Sequence, residues 1–161
     1  MKTFNKCISL EDLETLSDLN KLMIQAFLSE YTAAHQYLMA GHEARGNGYP
    51  DVLPEYEEHC EDERKHADEW LLRLEEIGIV LRVDLSQIQT EAPAWTPITT
   101  SDIKEQLAIL IKAEEDAVAF YKGIVEAARN ESDWVTESLA KRHMGDEEKH
   151  ARDLKRVLES L

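Results

Sequence analysis

Displaced by 84 residues, the chain falls on itself. Asp62-Glu63-Arg64-Lys65-His66-Ala67 lands on Asp146-Glu147-Glu148-Lys149-His150-Ala151, Glu30 on Glu114, Tyr37 on Tyr121 and His59 on His143. The spacing inside each half is the same, since 63 − 30 and 147 − 114 are both 33. Whatever the fold is, it has two like halves, and each half repeats the same polar residues.

The periodicity around these residues is helical, with almost no strand alternation. Breaks fall at three places: Gly46-Asn47-Gly48-Tyr49-Pro50, a long stretch at 78–100 that carries Pro93 and Pro97, and the polar turn Asn130-Glu131-Ser132. Four segments remain. Helix A is expected at about 17–45, B at about 51–77, C at about 101–129 and D at about 132–159, all in one domain over 1–161. Pro54 is tolerable in the first turn of B. Each helix is roughly 28 residues and so about 42 Å long. Short A–B and C–D turns make two antiparallel hairpins, whereas the 78–100 connection is long enough to cross the length of a bundle. That crossover should hold a short helix around Asp84–Gln89, and another helical piece is expected at about 10–16. The fold class is therefore all-α, a four-helix bundle with a long B–C crossover.

The repeated polar residues sit where apolar ones belong. On helix B the stripe of Tyr56, Ala67, Trp70, Leu74 and Ile77 also contains Glu63, His66 and His59. On D, Met144, Ala151, Leu154 and Leu158 share their face with Glu147 and His150. Glu30 lies between Phe27 and Ala34, and Glu114 between Ile111 and Val118. A buried carboxylate without partners costs several kcal/mol or neutralises itself. Four together repel, and no buried lysine or arginine is evident from the pattern. Two divalent cations would balance the four carboxylates, with two imidazoles completing the set. One Glu from each of two helices plus Glu-x-x-His from each of the other two is the carboxylate di-metal arrangement, and the i, i+3 spacing puts each Glu and His on one helical face. A single Glu-x-x-His on an acidic helix would mean only solvated charge. Two on apolar stripes, each matched to an inward Glu, are specific.

The formal net charge of −15, from 18 basic and 33 acidic residues, suits cation attraction and equally a solvated helical surface. It argues against binding to nucleic acid, which needs a basic footprint. No apolar run approaches a membrane span, and the first residues turn acidic too soon for a signal peptide, so a cytoplasmic protein is expected. Cys7 and Cys60, without a CxxC, read as free thiols.

At these residues the chain resembles the bacterioferritins. Asp62-Glu63-Arg64-Lys65-His66-Ala67-Asp68 is close to their helix-B motif, Glu30 followed by Gln36-Tyr37 is similar, and the resemblance extends over the whole bundle. It implies a ferritin-like fold with Glu30, Glu63, His66, Glu114, Glu147 and His150 as ferroxidase ligands to two iron ions per subunit. In that family the glutamates of the two Glu-x-x-His motifs bridge the ions, and those matching Glu30 and Glu114 are terminal. Tyr37 matches a tyrosine just outside the ligands. Tyr121, His59 and His143 are expected there too, while Trp70 and Cys60 read as packing.

Three departures refine the resemblance. Arg64 stands where bacterioferritins place a haem-binding methionine, so no haem is expected. Eleven residues follow His150, so no fifth helix of the kind found in 24-subunit ferritins is expected. The long crossover resembles that of dodecameric Dps-like mini-ferritins with a bacterioferritin-type site. The cysteine pair that some of these carry is replaced by Asp116 and Glu137. The resemblance thus implies a cytoplasmic, homo-oligomeric ferroxidase and iron-storage or detoxification protein, a dodecamer rather than a 24-mer. It would oxidise Fe²⁺ with O₂ or H₂O₂, without DNA or membrane partners. A di-manganese catalase, a rubrerythrin-like peroxidase and a non-redox metal buffer are the alternatives that similar ligands leave open.

Overall fold

The computed structural model describes residues 6–46, 48–92 and 96–161. The turn expected at Asn47 and the break at Pro93 lie outside the described residues. Four long α-helices form the bundle: α1 (Asp18–Glu43), α2 (Tyr49–Glu76), α4 (Ile103–Asn130) and α5 (Trp134–Ser160). Between α2 and α4 lies α3 (Leu85–Glu91). A 3-10 helix (Leu10–Thr15) precedes α1. The main packing is α1 on α2 and α4 on α5, with the two hairpins meeting through α1–α4 and α2–α5.

The expectation of a bundle with no fifth helix is corrected, because the described residues form five α-helices and a 3-10 helix. That expectation was drawn from the short stretch after His150, whereas the additional helix stands in mid-chain. Asp84 and Gln87 close a capping box at the start of α3, with the Asp84 backbone N–H donating to Gln87 Oε1 at 3.0 Å. Ile88 is buried in the core, and α3 packs on α1.

A second feature lies outside the helical reading. Strands β1 (Lys6–Ser9) and β2 (Ile79–Arg82) pair in parallel, Cys7 opposite Val80 and Ile8 opposite Leu81. Ile8 and Ile79 are buried by it. Four residues are too few for an alternating pattern to stand out.

Helix starts follow the caps. Ser17 accepts from the Asn20 N–H at 3.2 Å, and Asp133 from that of Thr136 at 3.0 Å. For α4 the cap is Asp102, accepting from Glu105 N–H at 3.0 Å, rather than Thr100 or Ser101. Because α2 begins at Tyr49, Pro54 lies inside the helix, beyond its first turn. Arg73 ties α2 to the start of α5, donating to both carboxylate oxygens of Asp133 at 2.9 and 3.0 Å and to Thr136 Oγ1 at 2.9 Å.

The apolar core is in two parts. One includes Met23, Phe27, Leu28, Trp70, Leu74 and Ile124; the other includes Ala40, Val52, Tyr56, Leu107, Leu110 and Leu154. The repeated polar residues fall between these two clusters on all four long helices. They are walled by hydrophobic packing on both sides.

Candidate metal centre

Each hairpin contributes three residues: Glu30 from α1 with Glu63 and His66 from α2, and Glu114 from α4 with Glu147 and His150 from α5. All six are buried, with Glu30 and Glu114 the most accessible at 4%. His66 Nδ1 lies 3.1 Å from Glu63 Oε2, 3.2 Å from Glu147 Oε1 and 3.7 Å from Glu30 Oε2. His150 Nδ1 lies 3.1 Å from Glu147 Oε2, 3.2 Å from Glu63 Oε1 and 3.9 Å from Glu114 Oε2. The two sets have nearly the same distances, in keeping with the 84-residue repeat.

The donor atoms sort into two groupings able to hold a metal ion, Glu30–Glu63–His66–Glu147 and Glu63–Glu114–Glu147–His150, each with its atoms within 4.8 Å of one another. Glu63 and Glu147 belong to both. Close approach does not mean satisfied hydrogen bonding here. Glu63 Oε1, both oxygens of Glu147 and both ring nitrogens of His150 are buried without an aligned hydrogen-bond partner. Buried polar atoms are normally paired, so a cluster of orphaned lone pairs aimed at common points calls for a cation. The donor set, carboxylate oxygen plus imidazole nitrogen, suits iron, manganese, zinc or cobalt. Two dications fit the residues present.

Electrostatics agree with that fit. Burial, then the negative charge of Glu63, pushes the Glu30 carboxyl up to about 8. Burial also lifts Glu114, to about 7, with Glu147 adding to the rise and the approach of His150 opposing it. Burial alone would lower His66 and His150. The carboxylates around them, Glu147 and Glu30 for His66 and Glu114 and Glu147 for His150, outweigh it and raise both. Raised carboxyls beside raised imidazoles are the directions expected where buried acids lack enough compensating positive charge.

The surroundings orient the donors, and they do so from the opposite hairpin. Tyr37 donates its hydroxyl hydrogen to Glu114 and Tyr121 donates to Glu30. Trp70 Nε1–H donates to the Tyr121 hydroxyl at 2.9 Å. His59 stacks on His150 and His143 on His66, each pair with ring centroids 4.0 Å apart. Burial, then the charge of the stacked neighbour, pushes both outer imidazoles down to about 3. A cavity of about 260 Å³ beside the centre is lined by Glu30, Glu114, Glu147, both tyrosines and Phe120, and gives small molecules room next to the donors.

Sequence reasoning passed over two residues. Asp146 Oδ2 lies 3.3 Å from His66 Nε2, and Asp62 Oδ2 lies 3.5 Å from His150 Nε2. The Asp146 carboxylate on the far nitrogen of His66 favours the tautomer that leaves Nδ1 free for metal, whereas Asp62 stands beside His150 Nε2 without a hydrogen bond. Both aspartates precede the Glu of the repeated motif, so their recurrence at the 84-residue offset was the available signal.

A family model described as the ferritin-like domain matches residues 20–161. No curated protein matches the chain. Among solved structures, the chain is similar to the bacterioferritin-related protein of Bacteroides fragilis, described as a dodecameric thioferritin. That likeness has 28% identity and a TM-score of 0.82 and covers 93% of this chain and 91% of the other. Dps from Staphylococcus aureus matches with TM-score 0.83 at 16% identity, covering 88% and 95%. A ferritin-like, diiron-carboxylate protein from Bacillus anthracis matches with TM-score 0.71 at 20% identity, covering 91% and 97%. The last two likenesses are of fold.

Proposed function

This chain belongs to the ferritin-like domain family, and from that premise we propose that it is a ferroxidase that takes up and stores or detoxifies iron. The observation that carries the reading is the sharing of Glu63 and Glu147 between two four-residue groupings. It supports two Fe²⁺ ions per subunit, with these carboxylates bridging them. Glu30 and His66 complete one position, Glu114 and His150 the other.

Iron is the substrate here. Two Fe²⁺ give up one electron each, and the oxidant takes both: O₂ with two protons becomes H₂O₂, or H₂O₂ with two protons becomes two waters. The chain's part is to hold both donors of electrons at once. Tyr37 and Tyr121 hold the terminal carboxylates in place, and Asp146 keeps Nδ1 of His66 turned inward. The two apolar clusters keep bulk water from the bridging oxygens. The net charge of −15 favours cation approach.

Anaerobic Fe²⁺ titration followed by separate additions of O₂ and H₂O₂ tests the reading. Two Fe²⁺ bound per chain, then rapid oxidation with retention of Fe³⁺, is the expected result. Peroxide turnover without iron retention would point instead to a peroxidase or catalase. Zinc binding with no iron oxidation would point to a metal buffer.

The likeness to a dodecameric protein also supports a homo-oligomeric shell of twelve chains. Leu72, Leu85, Trp134 and Val135 are each more than half exposed, and assembly would cover such surfaces. Light scattering is expected to give a mass near twelve chains; a mass near one or twenty-four would refute it. Among the described residues no helix is long and apolar enough to cross a membrane.

A further inference from the structure

The two halves differ at a place the centre does not use. His143 corresponds to His59 under the 84-residue shift, and Glu69 to Asp153. On the first side the pair is closed. His143 Nε2 lies 2.6 Å from Glu69 Oε2, and Nδ1 lies 3.2 Å from the Tyr121 hydroxyl. On the second side the acid is an aspartate, one methylene shorter. His59 is 0% exposed, and neither of its ring nitrogens has a hydrogen-bond partner. The second side also carries a second carboxylate, because Glu55 stands where the first has Leu139. Glu55 Oε2 lies 3.7 Å from His59 Nε2 without forming a hydrogen bond.

Donor atoms of Glu55, His59 and Asp153 lie within 4.8 Å of one another. We propose that these three residues form a third divalent-cation site, on the solvent side of the di-metal centre, for borderline ions such as Fe²⁺, Co²⁺ or Zn²⁺. One imidazole and two carboxylates are a donor set for that class of metal. Two acids from different helices neutralise a dication there, and the unpartnered imidazole gains the partner that burial otherwise denies it. Lys149 Nζ and Arg156 each approach Asp153 at 3.2 Å. Both side chains are exposed, and such pairs yield readily to a dication. Glu55 and Asp153 are partly accessible, which opens the site to solvent.

The same imidazole also groups with Glu114 and His150. An ion held by Glu55, His59 and Asp153 therefore stands one histidine away from the centre, in position to be passed inward. The inference goes beyond the ferroxidase reading and does not require it.

Equilibrium dialysis with Co²⁺, read together with its visible absorption, tests the site. Wild type is expected to bind three tight Co²⁺ per chain. Asp153→Asn and Glu55→Gln are each expected to bind two, or to hold the third at least tenfold more weakly. Glu147→Ala should retain one Co²⁺, lost when Asp153→Asn is added. Equal counts and affinities in wild type and both surface variants would overturn the proposal. A single wild-type Co²⁺ that disappears in Asp153→Asn would uphold this site while defeating the di-metal reading.

Discussion

Replacing Glu147 by alanine is expected to slow Fe²⁺ oxidation by on the order of 100-fold or more, since removing an outer partner of a metal ligand alone costs about 10–100-fold. Glu147 belongs to both donor groupings, so its loss strips one ligand from each position at once. The helical content should be unaffected. Both its carboxylate oxygens are buried without hydrogen-bond partners, so the metal-free fold loses no aligned hydrogen bond at this side chain. Stopped-flow absorbance after mixing Fe²⁺-loaded protein with O₂ or H₂O₂ measures the rate, and circular dichroism checks the fold. Wild-type rates in this variant would remove Glu147 from the site.

The second large effect is thermodynamic. A ligand that binds only the folded state stabilises it by about 2.7 kcal/mol when present at about 100 times its dissociation constant. Two ions at that saturation give roughly 5 kcal/mol, which for a chain of this size is an increase of roughly 10–20 °C in Tm. Zn²⁺ is the appropriate probe because it has no redox chemistry. Calorimetry at one fixed chain concentration should show the rise in wild type and lose most of it in Glu147→Ala. A wild-type Tm indifferent to Zn²⁺ would mean that the orphaned donors are not a metal site.

The centre was legible in the sequence because burying acid is costly. Glu30 and Glu114 could be recognised only because apolar neighbours at helical spacing placed them inward, and the structure finds both buried. The repeat then linked them to Glu63, His66, Glu147 and His150. What stayed hidden lies on the flanks of those stripes. Asp62 and Asp146 look like solvated charge in a one-dimensional pattern, and only the opposite hairpin shows that they reach an imidazole. Glu69 and Asp153 were hidden for the same reason.

The ends and connections of the fold were less legible for a different reason. A helix start is decided by which side chain can reach an unpaired N–H, so Asp102 took a role that Thr100 and Ser101 could also have filled. β1 and β2 are far apart in the chain and only four residues long, so neither announces its partner. The short helix α3 was expected inside the long crossover, around Asp84–Gln89, and stands at Leu85–Glu91, yet counting residues after His150 suggested no fifth helix. Chain length at one end carries no information about structure in the middle.

The crosswise hydrogen bonds have a mechanical meaning. Tyr37 of the first hairpin steadies Glu114 of the second, while Tyr121 and Asp146 of the second steady Glu30 and His66 of the first. Each hairpin relies on the other to hold its Glu of α1 or α4 in position. The centre is built as a clasp: a slight parting of the hairpins, with every helix intact, would pull both donor groupings apart together, since Glu63 and Glu147 belong to both.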